Sequence, residues 1–161
     1  MPSGAFRLVN FDPALSYKFT VEMDGIAEAT FTECEGLKLE REVIEYKEGG
    51  TNNFIYKFPG RIKQENIRLR RGVVYSTAFW DWFTYGIRSG KTDRRNLSIL
   101  VGDASNIIVQ RWDVISAWPV RYEGPELKAD SIQAALELIE LAHHGIILQK
   151  EDIEKPLGKG G

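Results

Sequence analysis

Side chains able to do chemistry are few in this chain and scattered along it. Residues 86–92, Gly-Ile-Arg-Ser-Gly-Lys-Thr, have the look of a phosphate loop, in which glycines let backbone N–H groups close on a phosphate and a lysine meets its charge. That loop needs four residues between its glycines. Gly86 and Gly90 enclose three, Tyr85 stands where the first glycine belongs, and the segment leaves a helix instead of opening one, so no helix N-terminus would receive the anion. It reads as a helix end and a turn. His143 and His144 are the only histidines. Neighbours in sequence point to opposite faces of a strand or well apart on a helix, so they do not readily share a metal, and neither CxxC nor HExxH supplies further ligands. Cys34 is the only cysteine; no spacing places a histidine beside it to make a nucleophile, and a packed thiol is expected. The carboxylates form no pattern that isolates an acid and base pair. No catalytic residue, metal or cofactor is expected.

Arg68, Arg70 and Arg71, and further on Arg94 and Arg95, make two small basic clusters. On a strand Arg68 and Arg70 share the face opposite Ile67 and Leu69, where ion pairing across a subunit contact is the expectation. Nucleic-acid recognition would need a wider basic stripe or aromatics offered as stacking platforms. The net charge of -2 likewise gives no electrostatic reason for a polyanionic partner.

The elements that must position these residues are mainly strands. At 161 residues, with 43% hydrophobic and 27% charged, the chain has the balance of a single globular domain able to bury a core without metal or disulfide support. No run approaches the roughly 18 apolar residues of a membrane span, and the start lacks the basic and apolar regions of a signal peptide, so folding in the cytoplasm and no membrane insertion by the monomer are expected. Residues 1–16 read as an arm without periodicity, and residues 151–161 as a flexible tail.

Between those ends period two dominates. Tyr17, Phe19, Val21 and Met23 alternate with polar residues, and Asp24-Gly25 favours a tight turn into a returning strand with Ala29 and Phe31. Leu37 and Leu39 begin another strand whose apolar phase slips at Val43-Ile44, which turns side chains to the other face unless a bulge absorbs it. Further alternations run through Phe54, Tyr56 and Phe58; Ile67 and Leu69; Leu97, Ile99 and Val101; and Ile108, Trp112, Val114 and Trp118. The fold class is mainly β, an antiparallel sandwich or small barrel. One flanking helix over residues 76–89 starts at an N-cap Ser76, carries the stripe Phe79, Trp82, Phe83 and Ile87, and ends at Gly90. Trp80, Trp82, Trp112 and Trp118 are assigned to core or sheet packing. Residues 131–143 are ambiguous, because Ala, Leu and Glu favour a helix while Ile132, Ala134, Leu136 and Leu138 alternate.

Residues 45–61 are the most unusual stretch. Gly49, Gly50 and the following Thr51, Asn52 and Asn53 form a polar excursion, while Phe54, Ile55, Tyr56 and Phe58 are too apolar to stand in water uncovered. Either this surface arm inserts into something, or it is a long loop folded over its own core.

The sequence resembles the tail-tube proteins of contractile phage tails and extracellular contractile injection systems. The likeness is carried, in order, by EYKEGG (residues 45–50), KFPG (57–60), Arg71-Gly72, AFWDWF (78–83), AWPVRYEGPELKADS (117–131) and ELAHHG (140–145), and extends from Tyr17 to Ile147. It implies a β-sandwich or barrel subunit that forms hexameric rings, stacked into a hollow tube whose inner wall is one continuous barrel of strands. It implies a contractile sheath, a baseplate tube initiator and a tube terminator or cap as partners, and a payload of protein or DNA in the lumen. It also implies a strand at residues 131–143, and an inter-subunit role for Tyr46, Gly49, Gly50, Phe54, Pro59, Gly60 and Arg61. A contractile phage tail is one alternative. A monomeric β-barrel binding a small apolar ligand is another, from a different class.

Overall fold

The computed structural model describes residues 17–23, 26–50, 53–73, 76–130 and 135–150, with the side chains of 26–29 excepted. The expected arm of residues 1–16, the turn at Asp24-Gly25, the start of the 131–143 segment and the tail of residues 151–161 lie outside them. Among the described residues ten strands and one helix follow in the order β1 (Lys18–Met23), β2 (Ile26–Phe31), β3 (Glu33–Glu35), β4 (Leu39–Tyr46), β5 (Tyr56–Gln64), β6 (Ile67–Gly72), α1 (Ala78–Ser89), β7 (Arg95–Gly102), β8 (Ile108–Glu123), β9 (Leu136–Ala142) and β10 (Gly145–Gln149).

All pairings are antiparallel. One sheet runs β2-β1-β7-β8-β9-β6-β3, with β10 also on β8. The sixteen-residue β8 lets this sheet fold over on itself. Its first half pairs with β7 and β10, its last six residues with β9. The bend falls at Ser116, held at φ 50° with its N–H donating to Asn96 Oδ1 at 2.9 Å. At the opposite corner β2 runs into β3 through Thr32, whose N–H donates to the Arg70 carbonyl at 2.9 Å. Between the layers lies the core: Val21, Met23, Leu97, Ile99 and Val114 from one, Ile67, Leu69, Ile139 and Leu141 from the other. The mainly β reading therefore holds.

Helix α1 plugs this core with Phe79 and Trp82, each about 3% exposed or less, and Phe79 meets Phe31 edge to face at 5.6 Å. Trp82 Nε1–H donates to the Asp93 carbonyl at 2.8 Å, which satisfies the indole where it is buried. The helix differs from expectation in three ways. Its N-cap is Thr77, not Ser76, and the Thr77 hydroxyl donates to Asp81 at 2.9 Å. Ile87 is 71% exposed, because the last turn runs past the barrel. Trp80 is 47% exposed and packs on Tyr122 at the surface. Gly90 closes the helix with its N–H on the Gly86 carbonyl, so residues 86–92 are a helix end and turn.

The ambiguous segment is a strand from Leu136 to Ala142. Helix propensity favours the alternative by only a few tenths of a kcal/mol per residue. Burying Leu138, Ile139 and Leu141 between two neighbouring strands outweighs it. The core phase is Glu137, Ile139 and Leu141, one residue out of step with the alternation picked out in the sequence.

A buried arginine meets two half-buried polar groups beneath α1. Arg71 continues the inward phase of Ile67 and Leu69, is 2% exposed, and lies over the rings of Phe31 and Phe79 at 5.6 and 4.6 Å. It donates to Glu137, which also accepts from the Tyr122 hydroxyl at 2.7 Å. Burial, then the bond to Glu137, raises the Tyr122 pKa above its ordinary value. Within the subunit the two basic clusters meet carboxylates: Arg68 pairs with Glu140, Arg70 with Glu33, Arg71 with Glu137 and Arg95 with Asp93.

Two carboxylates make the fold acid-sensitive. Burial pushes Asp113 up, but hydrogen bonds from Ser98, Arg111 and Gln149 outweigh it and hold the pKa below 3.8. Glu140 is held below 4.5 chiefly by the Asn66 amide, against burial and with help from Arg68. Depressed folded values mean that this stability is present above the unfolded values and is lost as pH falls through the folded ones. Thermal melts should therefore be flat from pH 7 to about 5 and fall below about 4. An Asp113→Asn, Glu140→Gln protein should show a shallower fall; an unchanged acid slope would contradict this assignment.

Candidate assembly interface

Leu39–Tyr46 and Tyr56–Gln64 pair with each other and with no other described strand, so they form a two-stranded arm beside the barrel. The arm is longer than the expected loop of residues 45–61. Every residue in these two strands is exposed except Gly60, which is half-buried. A loop folded over its own core would have buried them.

Two glycines shape this arm. Gly36, at its base, has φ +93°, and a Cβ there would fall 2.1 Å from the Asn66 carbonyl oxygen. The chain leaving β3 and the chain entering β6 are in contact at this point. Gly36→Ala is expected to cost at least about 1–3 kcal/mol from backbone strain alone, read as a lowered urea midpoint; a midpoint within error of the parent would show that the base can splay freely. Gly60 lies at a bulge, where a Cβ would come within 3.0 Å of the Glu42 carbonyl oxygen. The register jumps there, with Val43 opposite Pro59 and Arg41 opposite Ile62. One extra residue on β5 absorbs the phase slip read at Val43-Ile44, and Pro59, which cannot donate to a ladder, is tolerated at such a place.

The bulge gives the arm two apolar faces. On one, Ile44 pairs with Phe58 and Tyr46 with Tyr56, and Phe54 packs edge to face on Tyr56 at 4.7 Å. Tyr56 and Phe58 stack with centroids 6.5 Å apart. Phe54, Tyr46, Ile44 and Phe58 are each half exposed or more. On the other face, Val43, Pro59, Leu39 and Ile62 line up, their alkyl groups also in solvent. Monomeric proteins rarely leave such contiguous apolar surface open.

All seven residues singled out in the sequence lie on this arm. Tyr46, Phe54 and Pro59 contribute to its apolar faces, Gly49 and Gly50 form the turn at its tip, and Gly60 and Arg61 form the bulge. Sequence reasoning missed Leu39, Val43, Ile44 and Ile62, although the slip at Val43-Ile44 signalled a strand apolar on both sides.

Among the described residues no three His, Cys, Asp or Glu side chains converge as metal ligands would. His143 Nε2–H donates to the Glu65 carbonyl at 2.8 Å, and Arg94 donates to His144 Nε2 at 2.6 Å. Cys34 packs against the core, where burial, then the neighbouring Glu35, pushes its thiol up to about 11. A thiol so hard to ionise is a poor nucleophile.

Comparison with known proteins points the same way as this geometry. A family described as the T4-like virus tail tube protein gp19 matches residues 15–147. The chain belongs to this tail tube family. It is a structural subunit of a tail tube. Among solved structures, this tail tube protein is similar to a chain of the sheath-tube complex of the extracellular contractile injection system PVC in its extended state. The two share 28% identity at a TM-score of 0.71, over 82% of this chain and 88% of that one. A chain of the tube-terminating cap of the anti-feeding prophage shares 26% identity at 0.71, over 83% and 89%. Hcp1 of Flavobacterium johnsoniae, at 12% identity and 0.52 over 86% and 99%, shares the fold. No curated protein matches the chain.

Proposed function

We propose that this tube protein assembles as stacked hexameric rings into the hollow inner tube of a contractile injection system. Its arm is the principal contact between copies. The observation that carries this reading is a ribbon with exposed apolar groups on both faces that pairs with no other described strand. Open edges are templates for another chain, and apolar faces need cover. Copies of the same subunit supply both, with each interface at the 2,000 Å² or more typical of obligate contacts, by order of magnitude.

The partners follow from the relatives. Chains similar to this one occur in sheath-tube, baseplate and tube-terminating cap structures, which supports a contractile sheath around the tube, a baseplate that starts it and a terminator that ends it. The assembled tube carries a payload through the target envelope and does no chemistry. Assembly takes place in the bacterial cytoplasm, and the finished particle acts outside. The family description names a virus tail, which favours as second reading a phage tube conducting DNA.

Concentrated, purified subunit viewed by negative stain should show rings and filaments. A single species eluting as a monomer at every concentration would favour instead a barrel that binds a small ligand, and would overturn this reading.

A further inference from the structure

Resting on the tube reading above, we infer that the arm is keyed by charge: its acidic strand β4 docks beside the basic strand β5 of the next copy, and each strand rejects its own kind. β4 carries Glu40, Glu42 and Glu45, while β5 carries Lys57, Arg61 and Lys63 and no carboxylate. Glu40 stands opposite Lys63 and Glu45 opposite Lys57, and Arg61 lies in the bulge across from Glu42. Arg41 is the exception on β4. Alternation places it on the other face from Glu40 and Glu42, opposite Ile62. All of these residues are exposed, and among the described residues none of them forms an ion pair. On the barrel, by contrast, Arg68 and Arg70 have carboxylate partners in Glu140 and Glu33. The arm's charges are sorted by strand and left open.

Sorting of this kind decides which strands can meet. The ribbon pairs with no other described strand, so a second copy can extend it beside β4 or beside β5. Paired strands lie about 4.8 Å apart, inside the screening length of about 8 Å at physiological salt, so charges on adjoining strands act on one another. β4 against β4 sets carboxylates beside carboxylates, and β5 against β5 sets ammonium and guanidinium groups together. Like charges directly opposite are destabilising. β4 against β5 alternates the rows and is attractive at each step. The two like-with-like contacts are isologous and stop at a dimer, whereas the mixed contact is heterologous and repeats until a ring closes. Ile44, Tyr46, Phe54 and Phe58 supply apolar surface that needs cover, but carry no direction. The charges supply the direction, by attraction to the right edge and repulsion from the wrong one.

Reciprocal charge reversal tests the key. One variant, Glu40→Lys with Glu42→Lys and Glu45→Lys, has two basic strands; the other, Lys57→Glu with Arg61→Glu and Lys63→Glu, has an acidic row on each. Each alone should stay dispersed in negative stain at concentrations where the parent forms filaments. Mixed, the two should recover filaments, because unlike copies can alternate around a ring of even number. The pelleted filaments should then hold both variants in equal amounts whatever ratio was mixed. Normal filaments from either variant alone, a mixture that stays dispersed, or pellets whose composition follows the mixing ratio would each overturn the inference. Glu42→Lys and Arg61→Glu, mixed in the same way, take the place of the triple variants should either of those lack the parent's urea melt. Absence of filaments from the parent protein would instead count against the tube reading itself.

Discussion

Phe58→Asp, or removal of residues 49–53, is expected to leave a subunit that unfolds like the parent and does not polymerise. Phe58 and its partners Ile44 and Tyr56 lie on the exposed arm and touch no part of the barrel core. Their loss should change the stability of the isolated subunit by no more than about 0.5 kcal/mol. In the assembly proposed above the same side chains would be buried apolar anchors, each expected to contribute about 2 kcal/mol or more, and a carboxylate in their place would add an unpaired charge to an apolar contact. With one arm in each subunit, the defect would recur at every such contact and compound along the tube. Urea melts and negative-stain images of the same preparation check both halves. Filaments of normal length from either variant would remove the arm from the assembly mechanism. An altered melt would show that the arm is part of the barrel's own stability.

Arg71→Ala should destabilise the barrel by about 3–5 kcal/mol, because it leaves Glu137 buried without its counter-charge. Glu137 keeps the Tyr122 hydroxyl as a donor, which is not enough to carry a full carboxylate charge at this depth. Arg71 also covers the rings of Phe31 and Phe79, so its removal loosens the seat of α1. Replacing both partners together, as Arg71→Met with Glu137→Leu, should recover most of the loss, since a buried pair exchanged for apolar groups of similar size is often neutral. The urea midpoint of the single and double variants decides. A single variant within about 1 kcal/mol of the parent would show that the pair is solvated in solution, and a double variant worse than the single would show that the pair's geometry, not its charge balance, holds the helix.

The barrel was legible in the sequence because its strands bury one face, so period two survives in Tyr17–Met23, Ile67–Leu69 and Leu97–Val101. Helix α1 was legible through Phe79 and Trp82, but a helical stripe does not say where the barrel beneath it stops, and Ile87 was misplaced for that reason. The short β10, Gly-Ile-Ile-Leu-Gln, has no alternation and is held by its pairing to β8, a long-range contact that no local pattern encodes. Arg71 and Glu137 were hidden by residue type. Each continues the inward phase of its strand, Arg71 after Ile67 and Leu69, Glu137 before Ile139 and Leu141, and the two face each other across β6 and β9 in register. Polar residues at inward positions of adjacent strands are a readable signal of a buried pair, once the pairing of the strands is known. Of the arm, the turn and the aromatic returning strand were readable from composition. Its full length and second apolar face were not, because they depend on a bulge at Gly60 that only the register reveals.

Amide hydrogen exchange across the arm, compared between dispersed subunit and assembled tube, tests self-completion of the open ribbon most directly. In the dispersed state, outward-pointing N–H groups of Leu39–Tyr46 and Tyr56–Gln64 should exchange readily, while those of β7 and β8 are protected. In the tube the arm should become protected to a degree approaching the barrel. Equal exchange in both states, with tubes plainly present, would contradict the account, because the copies would then be joined through some other surface.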